Sequence, residues 1–214
     1  MNSFSEDELR RIKEITELYY YTKDLILYSE ELNNLDTFMP PINEIKDAFD
    51  HFMRVTSVKF GMNEGDEQYI QTNLDKIFSH IYRATFELFD YIRVFQKDSI
   101  DQKLNGISND ALVSVFPDYY HRIKPAMEDL INKIPSYKKA KDIGDPDIEI
   151  VKKYYQSIQE MKEAIGKIDL MLPALIEYDE KKKSEKRKDR IIEIVILVAV
   201  ALVSVACGFL LGKL

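Results

Sequence analysis

The sequence predicts an all-α protein: an antiparallel bundle of about five helices followed by a single C-terminal transmembrane helix. Three observations predict it. Only 7 Gly and 7 Pro, with no Trp, occur in 214 residues, among many Leu, Ile, Lys and Glu. Apolar residues recur at spacings of three and four along most of the chain. The stretch Ile191–Leu211, reading IIEIVILVAVALVSVACGFLL, is apolar or small except for Glu193. As a helix that stretch would reach ~31 Å, the thickness of a bilayer's hydrocarbon core.

The expected organisation is a cytoplasmic helical bundle over 1–180, a basic juxtamembrane collar over 181–190 and a transmembrane helix over 191–212. The collar holds Lys181, Lys182, Lys183, Lys186, Arg187, Lys188 and Arg190. Only Lys213 lies beyond the span, so the excess of positive charge places the N-terminal domain in the cytoplasm. The same seven residues would form a membrane-surface site for anionic headgroups, each contributing ~1 kcal/mol close to the surface. Ser204, Gly208 and Gly212 recur every four residues and would give the span a small face for close helix packing. Gly212, Lys213 and Leu214 close the sequence, so the chain is expected to end inside or just past the membrane. No basic-then-apolar stretch opens it, so no signal peptide is expected. Cys207 is the sole cysteine, which excludes an intramolecular disulfide and fits a reducing compartment.

Residues 1–180 hold 22 of the 30 Lys and Arg and 34 of the 37 Asp and Glu, a net charge of −12. Such a domain repels phosphate-rich surfaces, which argues against nonspecific nucleic-acid binding. One hundred and eighty residues suffice for a single sizeable core.

Helix one opens on a capping box of Ser5 and Glu8, with Phe4 and Leu9 as the hydrophobic staple. Leu9, Ile12, Ile15, Tyr19, Leu25 and Ile26 supply its apolar face. Tyr19, Tyr20 and Tyr21 wrap too far round for all three to be core, so one or two are expected at a boundary. The helix should end near Asn33 and Asn34. Met39-Pro40-Pro41 is a rigid break, with Pro41 suited to the first position of the next helix. Helix two is expected over 42–60, stopped by Gly61. Ile42, Ile45, Phe49, Phe52 and Val55 or Val58 would face the core. Lys46, Asp47, Asp50, His51 and Arg54 would lie opposite.

Helix three has the most regular stripe: Ile70, Leu74, Ile77, Ile81, Ala84, Leu88, Ile92 and Phe95. That stripe marks a central helix of the bundle. His80, Arg83, Glu87 and Asp90 share another face, either an ion-paired edge or one wall of a cleft against helix two. Asn105-Gly106 is a turn, and a short helix is expected over 109–115. Pro117 starts helix four, which Pro125 should kink or divide. Lys138 to Gly144 reads as a charged connection. Asp145-Pro146 then starts a last helix with Val151, Tyr154, Ile158, Met161, Ile165, Ile168, Leu172 and Leu175 inward and Pro173 bending it. The collar is helix-compatible, so this helix is expected to run on into the apolar stretch. Prolines at seven positions interrupt any long coiled-coil seam.

The chain contains no phosphate-cradling glycine loop, no Glu-x-x-His pair and no cysteine-based metal spacing. No nucleophile elbow surrounds a serine. No metal and no cofactor are therefore expected. Asp47 and His51 lie four apart on a helix, but two ligands do not make a metal site. A membrane-fusion helix before the anchor is excluded by Pro173 and by Gln156 and Gln159 falling outside the seam.

One local pattern remains. Lys46-Asp47-Ala48-Phe49-Asp50-His51 resembles the signature of HEPN domains: an arginine, a polar residue, three variable residues and a histidine on a helix of an all-α bundle. The resemblance covers these six residues and their helical setting. It implies a metal-independent ribonuclease, in cellular defence, whose arginine and histidine meet across a dimer interface at a 2′-hydroxyl and a scissile phosphate. Lys46 would take the arginine position, Asp47 the polar one and His51 the histidine. Lysine is a point charge where arginine offers a planar fork, so this chain departs from the family at the phosphate contact. Residues five apart also sit ~140° apart around a helix. Read without the resemblance, Lys46 and Asp50 form an i, i+4 pair and His51 lies at a boundary.

The expected function is a membrane-anchored, non-catalytic helical bundle that acts as an interaction, scaffold or sensor module; the alternative is a tethered HEPN-like ribonuclease or its degenerate relative. Expected partners are the lipid bilayer, a second copy through the bundle or the transmembrane helix, and an unidentified protein. Nucleic acid is a partner only under the alternative.

Overall fold

A computed structural model describes residues 3–33, 35–142 and 147–211, omitting the side chains of 138, 140–142 and 205–211. The described residues are almost wholly helical. Helix α1 spans Glu6–Leu32, α2 Met39–Lys59, α3 Glu67–Leu104, α4 Asn109–Val115, α5 Lys124–Asp142 and α6 Ile148–Leu211. A π-helical turn, Tyr119–Ile123, leads into α5.

The local start signals work as the sequence predicts. Ser5 Oγ accepts from the Glu8 amide, and Glu8 accepts in turn from the Ser5 amide. The staple does not form: Leu9 is exposed, while Phe4 packs on the core beneath the Lys59 ammonium. Tyr19 and Tyr20 are exposed, and Tyr21 packs on Tyr155 of α6. Leu35, just past α1, takes a left-handed φ of 70°. Helix α2 starts at Met39, so Pro40 and Pro41 occupy its first turn, where missing amides cost nothing. Gly61, at φ +72°, ends it as expected. The short α4 falls on the predicted residues. The piece before Pro125 is a π turn rather than α-helix, so the division falls where that proline was expected to break helix four. The chain expected to leave the helix at Lys138 stays helical to Asp142. Asp145 and Pro146 lie outside the described residues.

Helix α3 is the centre, packing against α1, α2 and α6. Its stripe is buried as predicted from Ile70 to Ile92, with Phe95 half-buried. Two apolar clusters are strung along it. The first joins α1, α2, the first two-thirds of α3, Ile134 of α5 and the start of α6 around Leu18, Phe86, Phe89 and Tyr154. The second joins the end of α3 to α4, α5 and the middle of α6 around Ile100, Leu112, Ile168 and Leu175. Polar bonds stitch the helices inside the first cluster: Thr22 meets Thr85 at 2.8 Å, and Gln96 Nε2 donates to the Tyr28 hydroxyl and the Ile158 carbonyl.

Helix α2 is rotated from its predicted setting. Ala48, Val55 and Val58 face the core, while Phe49 and Phe52 are exposed. Two faces of this helix are apolar, and the one carrying the small Ala48 lets α2 approach α3 closely.

The C-terminal expectation is corrected. Among the described residues no helix is long and apolar enough to cross a membrane, which overturns the predicted transmembrane helix and the tail-anchored, single-pass membrane reading built on it. Helix α6 does run unbroken from the bundle through the collar, with Pro173 inside it. However, the described apolar side chains extend only from Ile191 to Ser204, a length of ~21 Å against the ~30 Å of a hydrocarbon core. A longer window drawn toward the bundle takes in Arg187, Lys188, Asp189 and Arg190. Gly208 and Cys207 lie beyond the described side chains and Gly212 outside the described residues, so the small face expected with Ser204 falls outside what the structure describes.

Candidate functional site

The sequence-predicted residues of α2 separate into two surfaces. His51 turns inward and half-buried toward α3; Lys46 and Asp47 are exposed. Asp50 pairs with Arg54 at 2.6 Å rather than with Lys46.

His51 belongs to a polar seam between α2 and α3. Its Nδ1 lies 2.8 Å from Oδ1 of the buried Asn73. Asn73 Nδ2 donates to the Tyr69 carbonyl one turn earlier at 2.8 Å, which orients the amide. Its Oδ1 is therefore the acceptor, and His51 Nδ1 must carry a proton. About two helical turns further along α3, His80 Nδ1 lies 2.7 Å from Glu44 Oε2 of α2. Arg83 reaches the same oxygen at 3.0 Å and stands 2.7 Å from His80 Nδ1. One nitrogen cannot both donate to the carboxylate and accept from the guanidinium, and the charge-assisted bond to Glu44 is the stronger. The two imidazoles stack at 5.4 Å and 27°. Each is thus held through Nδ1 by a residue across or along the seam, leaving Nε2 as its second functional atom.

His80 and Arg83 form an ion-paired edge that is set against helix two through Glu44, their shared partner. Glu87 and Asp90, on the same stripe, are half-buried farther along α3. His121 is exposed on the π turn, far from the other two histidines in sequence and on a different element. Sequence reasoning missed Glu44 and Asn73. Asn73 had a signal: it is a polar residue beside Leu74 on the buried side of the most regularly patterned helix. Glu44 had none, because an exposed-looking Glu on a helix is commonplace.

No group of three His, Cys, Asp or Glu among the described residues could hold a metal ion. A concavity of about 820 Å³ lies elsewhere, between the N-terminal ends of α1 and α3. Its carboxylates are partly neutralised from within: Arg11 binds Glu14 at 2.8 Å and Asp75 at 3.0 Å while lying over the Phe78 ring. It is an open, solvated, ion-paired cleft rather than a pocket for chemistry.

The second surface of α2 is apolar. Phe49 is 61% exposed, Phe60 59%, Met53 48% and Phe52 41%. With the half-buried Ile42 and Ile45 they form one stripe at helical spacing along the outside of the bundle. Taking ~200 Å² for a whole large side chain, the four most exposed residues present roughly 400 Å² of apolar surface. The collar residues Lys181 to Arg190 are all exposed on α6, beyond the last buried contact of that helix at Asp179.

The geometry defines an all-helical bundle with a histidine seam and an uncovered apolar helix face. No family model, curated protein or solved structure matches this chain.

Proposed function

We propose that this chain is a non-catalytic helical interaction module that docks a protein partner through the outer face of α2. The observation that carries this reading is the exposed stripe of Phe49, Phe52, Met53 and Phe60. An apolar patch of several hundred Å² is about the largest that a monomer exposes, and such patches are often functional. Aromatic and Met side chains are also the types enriched at the centres of interfaces. The seam beneath supports the same reading: Asn73, Glu44 and Arg83 bind the histidines and so hold the helix in the rotation that turns the stripe outward. The test is a photo-crosslinker placed at Phe52 in cells. Discrete protein adducts that Phe49→Asp abolishes are expected, and their absence would argue against the docking face.

A second reading, metal-independent RNA cleavage by a HEPN-like site of His51, Lys46 and Asp47, draws support from one observation. The Asn73 bond leaves His51 Nε2 as the atom available for proton transfer, the arrangement a general base needs. Lys46 and His51 lie on different sides of α2, so this reading requires a second copy to bring a cation to the histidine. RNA incubated in EDTA with the parent and with His51→Ala distinguishes the two. Cleavage by the parent alone would establish the ribonuclease; no cleavage by either is expected from the interaction module.

A further inference from the structure

Resting on the docking role of α2, we infer that the partner of its outer face is a second copy of this chain, packed antiparallel about a two-fold axis near position 51. Three observations lead there.

Four of the six stripe residues pair with one another by mirror position, while Ile45 falls opposite Ser57 and Phe52 opposite Asp50. About position 51, Ile42 mirrors Phe60 and Phe49 mirrors Met53. An antiparallel two-fold pair of helices sets each residue against its mirror position, so Phe49 would meet the partner's Met53 and Ile42 the partner's Phe60. That self-complementarity is what an isologous interface demands.

The area fits. Roughly 400 Å² of exposed apolar surface is about the apolar share of one side of a standard interface, which covers ~800 Å² per partner.

The charge fits as well. The bundle carries a net charge of −12 over residues 1–180, yet the polar flank of α2 is balanced. Lys46 and Arg54 stand against Asp47 and Asp50, with Arg54 and Asp50 already paired. A strongly charged partner has nothing to select here, whereas a second neutral flank lies against this one without repulsion.

The pairing also has a geometric consequence. His51 lies ~160° around α2 from Phe49. This dimer therefore keeps the two copies of His51 on opposite outer sides of the helix pair, unlike the dimer that the ribonuclease reading needs.

The experiment is sedimentation velocity on the full chain, in a nonionic detergent that masks the exposed apolar end of α6. The parent is expected to sediment as a dimer. Phe49→Asp and Met53→Asp should each weaken association by at least about tenfold, as charges placed at the centre of an interface do. Val113→Asp, at an exposed apolar position on α4, should leave the dimer intact. The stripe residues are exposed, so far-UV circular dichroism should be unchanged; Phe60→Gln repeats the measurement with a milder change at the far end. A monomeric parent overturns the self-pairing while leaving the α2 face as a docking surface for another protein. A dimer that survives the stripe variants also overturns it, by placing association elsewhere. His51-dependent RNA cleavage would instead sink the interaction-module reading itself.

Discussion

Asn73 Oδ1 lies 2.8 Å from His51 Nδ1, and that bond decides where the ring carries its proton. Because Asn73 also donates to the Tyr69 carbonyl, its amide cannot turn round without losing both bonds. Long-range proton–nitrogen NMR correlations of the chain are expected to show neutral His51 as the Nδ1–H tautomer. Asn73→Leu should release the ring to the opposite tautomer. An Nε2–H pattern in the parent would contradict the seam as described.

The buried ion pair of Glu8 and Lys59 ties the start of α1 to the end of α2. Both side chains are over nine-tenths buried, and Lys59 also donates to the Ser3 carbonyl. Removing one partner strands the other charge away from water. Lys59→Met is therefore expected to cost ~3–5 kcal/mol in urea denaturation. Glu8→Gln keeps an acceptor for the Ser5 amide, so the double variant Glu8→Gln/Lys59→Met should recover much of that loss. A double variant no more stable than Lys59→Met alone would show that the lysine stem, not the charge pair, carries the effect.

Gln96 stands where α1, α3 and α6 meet, with one amide nitrogen serving both Tyr28 and the Ile158 carbonyl. Gln96→Leu fills most of the volume but leaves two buried polar atoms without a donor. The expected loss is ~2–6 kcal/mol, from a penalty of ~1–3 kcal/mol for each of the two stranded groups. Chemical denaturation at constant m-value would measure it.

Asp179 gives a pH dependence of known sign. Its carboxylate accepts from the Ser108 hydroxyl and the Ser108 amide, and Ser108 in turn caps α4 through the Ala111 amide. Those bonds, with Lys183 nearby, hold its pKa below the ordinary 3.8. A carboxylate favoured in the folded state adds stability that is complete above its unfolded pKa and is lost as pH falls through the folded value. The parent should be more stable than Asp179→Asn at neutral pH. The gap should begin to close below about pH 4 and disappear under strong acid. A pH-independent gap would assign the loss to packing instead.

Leu35 adopts a left-handed backbone with its side chain in solvent. Its amide closes the end of α1 by donating to the Glu30 carbonyl. Leu35→Gly keeps that bond and removes the clash of Cβ, so it is expected to stabilise the chain by about 1 kcal/mol. A drop in the unfolding midpoint would mean that the entropy glycine adds to the unfolded chain outweighs the relief.

Most of the helices were legible in the sequence because their signals are local. The Ser5–Glu8 box, the stripe of α3 and the short α4 depend on neighbours a few residues away, and each formed where those neighbours predict. The seam was half legible. His51, His80 and Arg83 stood out as polar groups at helical spacing, but Glu44 became their partner only when α2 turned toward α3. The apolar tail shows the converse: hydropathy alone predicted a spanning helix, and the described residues contain no such span.

The sequence by itself determined that this chain is helical, that α3 is its centre and that α6 continues past the bundle, because periodicity and end signals are properties of one segment. Only the tertiary structure decided which of α2's two apolar faces would be buried. Rotation of a helix about its axis depends on which face finds a complementary surface, and Ala48, Val55 and Val58 fit α3 more closely than a row of phenylalanines does. That rotation set His51 against Asn73 and left Phe49, Met53 and Phe60 facing out.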